Sequence, residues 1–153
     1  MSSRSKNIIT TNKLKSLLII FASVVIAAGC QVKFVADYDA KNAQQILQVA
    51  KRVDYFYTKL LNEAENKRTY DKSKTEYVDI EVELRSLLMR NEIKPLNKES
   101  IKIISTIIKK WKKYQFNHKS NNAYKTVLLE NHRDRFVRLF VAMSVAEEAK
   151  RQN

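Results

Sequence analysis

The 153-residue chain carries 29 lysines and arginines against 16 acids, a net charge of +13, with one glycine, one proline and one cysteine. A single cysteine excludes a disulfide-stapled fold. A single glycine argues against architectures that depend on positive-φ positions, so Rossmann turns, phosphate-binding loops, nucleophile elbows and tight β-hairpins are all missing from the pattern.

Residues 1–15 hold Arg4, Lys6, Lys13 and Lys15 and no acid; residues 16–28, SLLIIFASVVIAA, hold no charge and run into Ala27-Ala28-Gly29-Cys30. A basic start, a short apolar run and small residues form a secretory leader, and the run is shorter than the roughly 20 residues of a membrane-spanning helix. The small residues before the only cysteine resemble the lipobox of a bacterial lipoprotein precursor, over residues 13–30. The resemblance implies removal of residues 1–29, a diacylglyceryl group on the Cys30 sulfur and, in Gram-negative bacteria, a third acyl chain on the new N-terminus. Gln31, where Asp would signal inner-membrane retention, resembles outer-membrane sorting. The alternative is a signal anchor with a fortuitous cysteine. One acyl chain binds membranes marginally, whereas two or three anchor stably. Cys30 is thus the expected lipidation site, and the covalent lipid is the only attached group expected; no other cofactor is implied.

Residues 30–38 follow as the lipidated cysteine and a short tether, whose stretch from Gln31 to Tyr38 reaches at most about 25–30 Å. Residues 39–153 form one domain. A first helix is predicted over 39–65, capped by Asp39, with a stripe of Ala43, Ile46, Leu47, Ala50, Val53, Tyr57, Leu60 and Leu61. Tyr55 is off this stripe. Residues 66–74 are polar and read as a loop. A second helix is predicted over 75–91 through Tyr77, Ile80, Leu84, Leu87 and Leu88, stopped by Lys94-Pro95-Leu96-Asn97. Asn97 then caps a third helix over 98–117, through Ile101, Ile104, Ile107, Ile108, Trp111 and Tyr114. His118 to Asn122 reads as a polar break. A fourth helix is predicted over 122–150, through Val127, Leu128, Phe136, Leu139, Phe140, Met143 and Ala146. Four amphipathic helices with short connections predict an all-α, antiparallel four-helix bundle.

Charge is unevenly spread. The leader takes four basic residues, leaving 25 against 16 acids, or +9. Lys98, Lys102, Lys109, Lys110, Lys112, Lys113 and Lys119 face only Glu99 in their segment, whereas residues 76–92 carry five acids against Arg85 and Arg90. One reading is mutual neutralisation of the second and third helices, with the lysines also suiting the third helix's C-terminal dipole. The other is an anionic-surface site at Lys102, Lys109, Lys110, Lys112 and Lys113, for lipid headgroups, lipopolysaccharide or cell-wall polymer. Nucleic acid is not an expected partner, because export separates the chain from it.

Few residues suggest chemistry. His118 is expected to be solvated in its break. His132 lies four residues from both Leu128 and Phe136 and, with Asn131, is expected to form a buried polar layer. Glu-x-x-His, H-E-x-x-H and C-x-x-C-H are absent, so no metal or haem site is expected. Asp79, Glu81 and Glu83 alternate and do not form an acid–base dyad. Asp134 and Arg138, four apart, are expected to pair.

These features point to a non-enzymatic, lipid-anchored helical module in a bacterial envelope, expected at the outer membrane facing the periplasm. It would act structurally or by binding another envelope protein; no small-molecule substrate is evident. Binding an anionic lipid or polymer through the lysine-rich helix is the alternative. An enzyme with a site around Asn131 and His132 is a remote third.

Overall fold

The computed structural model describes residues 35–152. The leader, Cys30 and the first residues of the tether lie outside them, and the lipidation assignment with them. Four helices follow in order: α1 (Ala40–Leu61), α2 (Tyr70–Glu92), α3 (Lys98–Asn121) and α4 (Thr126–Glu148), with 3₁₀ turns at Glu65–Lys67 and Ala149–Gln152. Each helix packs on its sequence neighbours, and α4 closes the ring on α1, giving the antiparallel four-helix bundle. No strand occurs among the described residues.

The core is drawn from the faces that helical periodicity brings inward. Ile46, Val49, Val53, Phe56 and Leu60 of α1 meet Ile80, Leu84 and Leu87 of α2, Ile104 and Ile107 of α3, and Leu129, Phe136 and Met143 of α4. Trp111 is completely buried and its Nε1–H donates to the Tyr77 carbonyl at 3.1 Å, so its polar edge is satisfied. Among the described residues, the hydrophobic core cluster is built from side chains of the four helices and of the connection at Tyr124.

Three stripe positions differ from expectation. Leu47 is 63% exposed, Val127 66% and Leu128 47%, while Val49, Phe56 and Leu129 are buried. Leu129 lies seven residues before Phe136, almost two full turns, whereas Leu128 lies eight before it and about 80° round the helix, so Leu129 continues the core stripe and Leu128 leaves it.

The boundaries also move. Asp39 caps α1 as predicted, accepting from the N–H groups of Lys41 and Asn42. The Lys94 ammonium, 2.6 Å from Asp39, holds that carboxyl below its usual range. The helix α2 begins inside the expected loop, because Tyr70 stacks on Tyr77 and the Asn122 side chain accepts from the Tyr70 N–H at 3.0 Å. Asn122 itself takes a left-handed conformation, φ 45°, ending α3 four residues beyond the expected point. Asn97 sits at the N-terminus of α3 but does not cap it; its side chain turns inward. Leu96, just after Pro95, adopts φ 59°, a conformation that glycine normally supplies. The turns therefore do need positive φ, and leucine and asparagine provide it.

Candidate interaction surfaces

Polar side chains are buried at both ends of the bundle. At the end where α1 begins, Asn42, Asn91, Ser100 and Glu147 each lie four residues beyond a core residue of their helix, namely Ile46, Leu87, Ile104 and Met143. Antiparallel packing brings all four to one level. The Glu147 carboxylate takes the Lys150 ammonium at 2.6 Å, the Asn42 amide at 2.7 Å and the Asp39 N–H at 2.9 Å. Asn42 and Asn91 exchange side-chain hydrogen bonds, Asn91 Oδ1 accepts from Asn97, and Lys150 also donates to Asn97 Oδ1 and Ser100. The last residues before α1 join this end: Ala36 N–H donates to the Leu96 carbonyl at 3.3 Å, and Arg151 covers the Tyr38 ring.

The opposite end is aromatic. His118 is not solvated but buried in α3, bonded to the Tyr77 hydroxyl through Nδ1 at 3.1 Å and to the Arg68 carbonyl through Nε2 at 3.0 Å. A carbonyl only accepts, so Nε2 carries the proton and Nδ1 accepts from Tyr77. Burial holds the His118 pKa below its ordinary value.

The polar layer expected at Asn131 and His132 does not form. Asn131 is exposed. His132 is half-buried, stacked on Tyr114 with ring centroids 3.4 Å apart, and its Nδ1 meets the Tyr124 hydroxyl. Burial, then Arg135 and Lys113, push its pKa down to about 4. His132 sits on a flank of α4, on the side of Leu128, which is itself exposed, so the spacing from Leu128 pointed off the core face.

The lysines of α3 divide by azimuth. Lys102, Lys109 and Lys113 stand on the ridge opposite the buried residues, with Lys110 and Lys112 on its flanks. Only Lys112 among these five pairs with an acid among the described residues, reaching Glu81 at 3.3 Å. The other α2 acids turn to α1: Glu76 takes Lys59 at 2.8 Å, while Asp79 and Glu83 share Arg52 at 3.5 and 2.6 Å. Asp79 and Glu83 therefore do share a face. Asp134 and Arg138 form no ion pair among the described residues; Arg133 instead reaches Asp54 at 3.6 Å.

An apolar groove of about 400 Å³ runs between α1 and α4. Leu47, Val137, Val141 and Val145 form its exposed walls, with Phe136 and Phe140 beneath. Sequence reasoning placed Leu47 in the core and did not single out the three valines, whose i, i+4, i+8 spacing was a visible signal.

Among the described residues, no trio of His, Cys, Asp or Glu gathers to hold a metal, and no helix is long and apolar enough to cross a membrane. No known protein family, curated protein or solved structure was found to match the chain.

Proposed function

We propose that the protein is a lipoprotein of a bacterial envelope, anchored through lipid on Cys30, with a helical bundle that faces the periplasm and binds another envelope protein. No catalytic activity and no cofactor beyond the lipid belong to this reading. The leader pattern supports the anchor and its outer-membrane sorting. The observation that carries the binding role is the groove walled by Leu47, Val137, Val141 and Val145, a contiguous apolar surface of the kind that marks interaction sites.

Two measurements test it. A clickable fatty acid labels the wild type and not Cys30→Ala; equal labelling overturns the anchor. A photo-crosslinker at position 141 in native membranes gives a discrete adduct that Leu47→Lys abolishes without unfolding the bundle. No adduct, or one indifferent to Leu47→Lys, overturns the protein-binding role.

A second reading is favoured by a separate observation. Lys102, Lys109, Lys110 and Lys113 have no acid partner among the described residues, which supports binding of an anionic lipid or polymer through α3.

A further inference from the structure

The α2–α3 hairpin carries two outward ridges with the same spacing. On α3, Lys98, Lys102, Lys109 and Lys113 recur at intervals of four, seven and four residues; on α2, Val78, Val82 and Met89, with Ile93 at its C-cap, recur at the same intervals. A 3.6-residue period stacks each set on one side of its helix. All eight side chains are exposed, and Ile93 is the most exposed large apolar residue among those described. Phe116 stands on the lysine ridge, 67% exposed. The two helices are held side by side by the Trp111–Tyr77 hydrogen bond and the Lys112–Glu81 ion pair. A basic ridge and an apolar ridge, each about 22 Å long, therefore run along adjacent helices.

The four ridge lysines have no acid partner among the described residues, because Lys59, Arg52 and Lys112 engage the acids of α2 that form bridges to other helices. A soluble polyanion would use such lysines and leave Phe116 and the α2 ridge in water. A lipid leaflet uses both: phosphates take the ammonium groups, lysine stems lie along the apolar boundary, and apolar side chains enter it.

We propose that the α2–α3 hairpin docks side-on against an anionic phospholipid leaflet, with Lys98, Lys102, Lys109 and Lys113 at the headgroups and Phe116, Val82 and Met89 in the headgroup–acyl boundary. This rests on the second reading above. It adds to that reading the leaflet as ligand, the apolar α2 ridge, Phe116, and the orientation of the bundle.

The test uses the chain beginning at Gln31, without lipid, and vesicles of phosphatidylcholine with or without phosphatidylglycerol. Binding is expected only with phosphatidylglycerol and is weakened by salt. The triple variant Lys102→Gln, Lys109→Gln, Lys113→Gln loses about a hundredfold in affinity, at about fivefold per lysine. Val82→Ser with Met89→Ser loses about tenfold while the bundle stays folded. In Phe116→Trp, lipids with brominated acyl chains quench the new indole on binding; in the wild type they leave the buried Trp111 unquenched. Binding without quenching, and indifferent to the α2 substitutions, overturns the docking and leaves the anionic-surface reading standing. So does binding to soluble polyphosphate or an acidic protein but not to vesicles. No binding to any of these at low salt overturns both.

Discussion

Glu147 and Lys150, three residues apart at the end of α4, form an ion pair at 2.6 Å with side chains 1% and 3% exposed. Their remaining hydrogen-bonding capacity goes to Asn42, the Asp39 N–H, Asn97 and Ser100, so the network ties all four helices and the residues before α1 at one level. Removing one partner leaves the other charge buried. Lys150→Met or Glu147→Gln is expected to cost about 3–5 kcal/mol, and the double variant far less than the two together. Urea denaturation of the four proteins in a double-mutant cycle measures this; additive losses would show that the pair is not coupled.

Arg68 performs a similar task at the other end. Its guanidinium donates to the carbonyls of Leu61, Glu63 and Tyr124 and to the Thr126 hydroxyl, joining the end of α1 to the start of α4. Four bonds in divergent directions suit a planar fork and not a point charge. Arg68→Ala is expected to cost about 2–4 kcal/mol, since the buried Tyr124 carbonyl and two part-buried ones lose their donor. Arg68→Lys should recover little of it, and full recovery in thermal denaturation would show that charge alone matters.

Leu96 pays a conformational penalty in a solvent-exposed turn at φ 59°. Glycine has no such penalty but gives up more chain entropy on folding. Leu96→Gly is therefore expected to stabilise the bundle by about 0.5–1 kcal/mol, read as a higher denaturation midpoint. The same substitution at the buried, helical Leu84 should strongly destabilise it.

Both histidines are held neutral in the folded chain, His132 with a pKa of about 4 and His118 below its ordinary value. The unfolded chain takes up these protons near pH 6.5, before the folded chain does. Stability is thus fully present above that pH and falls as pH drops from about 6.5 towards 4. His132→Phe keeps a ring on Tyr114 and removes one titration. Its stability, followed by urea denaturation between pH 7.5 and 5, should change less with pH than that of the wild type. An unchanged slope would assign the acid sensitivity elsewhere.

Much of the fold was legible because its signals are local. Scarcity of glycine and apolar spacings of three and four suffice for four helices, the cap at Asp39, and the burial of Leu84, Ile104 and Trp111. The terminal polar layer was legible in principle: Asn42, Asn91, Ser100 and Glu147 each continue a core stripe by one turn. Sequence reasoning did not single them out, because a polar residue there becomes interior only when the other helices supply its partners.

Other features were decided by tertiary packing. The rotation of α4 about its axis buries Leu129, Phe136 and Met143, which recur at sevens, and leaves Leu128 exposed off that line. That rotation also turns Asn131 outward and lays His132 on Tyr114. The acids of α2 match the lysines of α3 in sequence, yet Glu76, Asp79 and Glu83 face α1, so most of the α3 lysines keep an open face. Charge along a chain sets which pairs are available. Which of them form depends on the azimuth at which each helix meets its neighbours, a property of the assembled bundle and of no single segment.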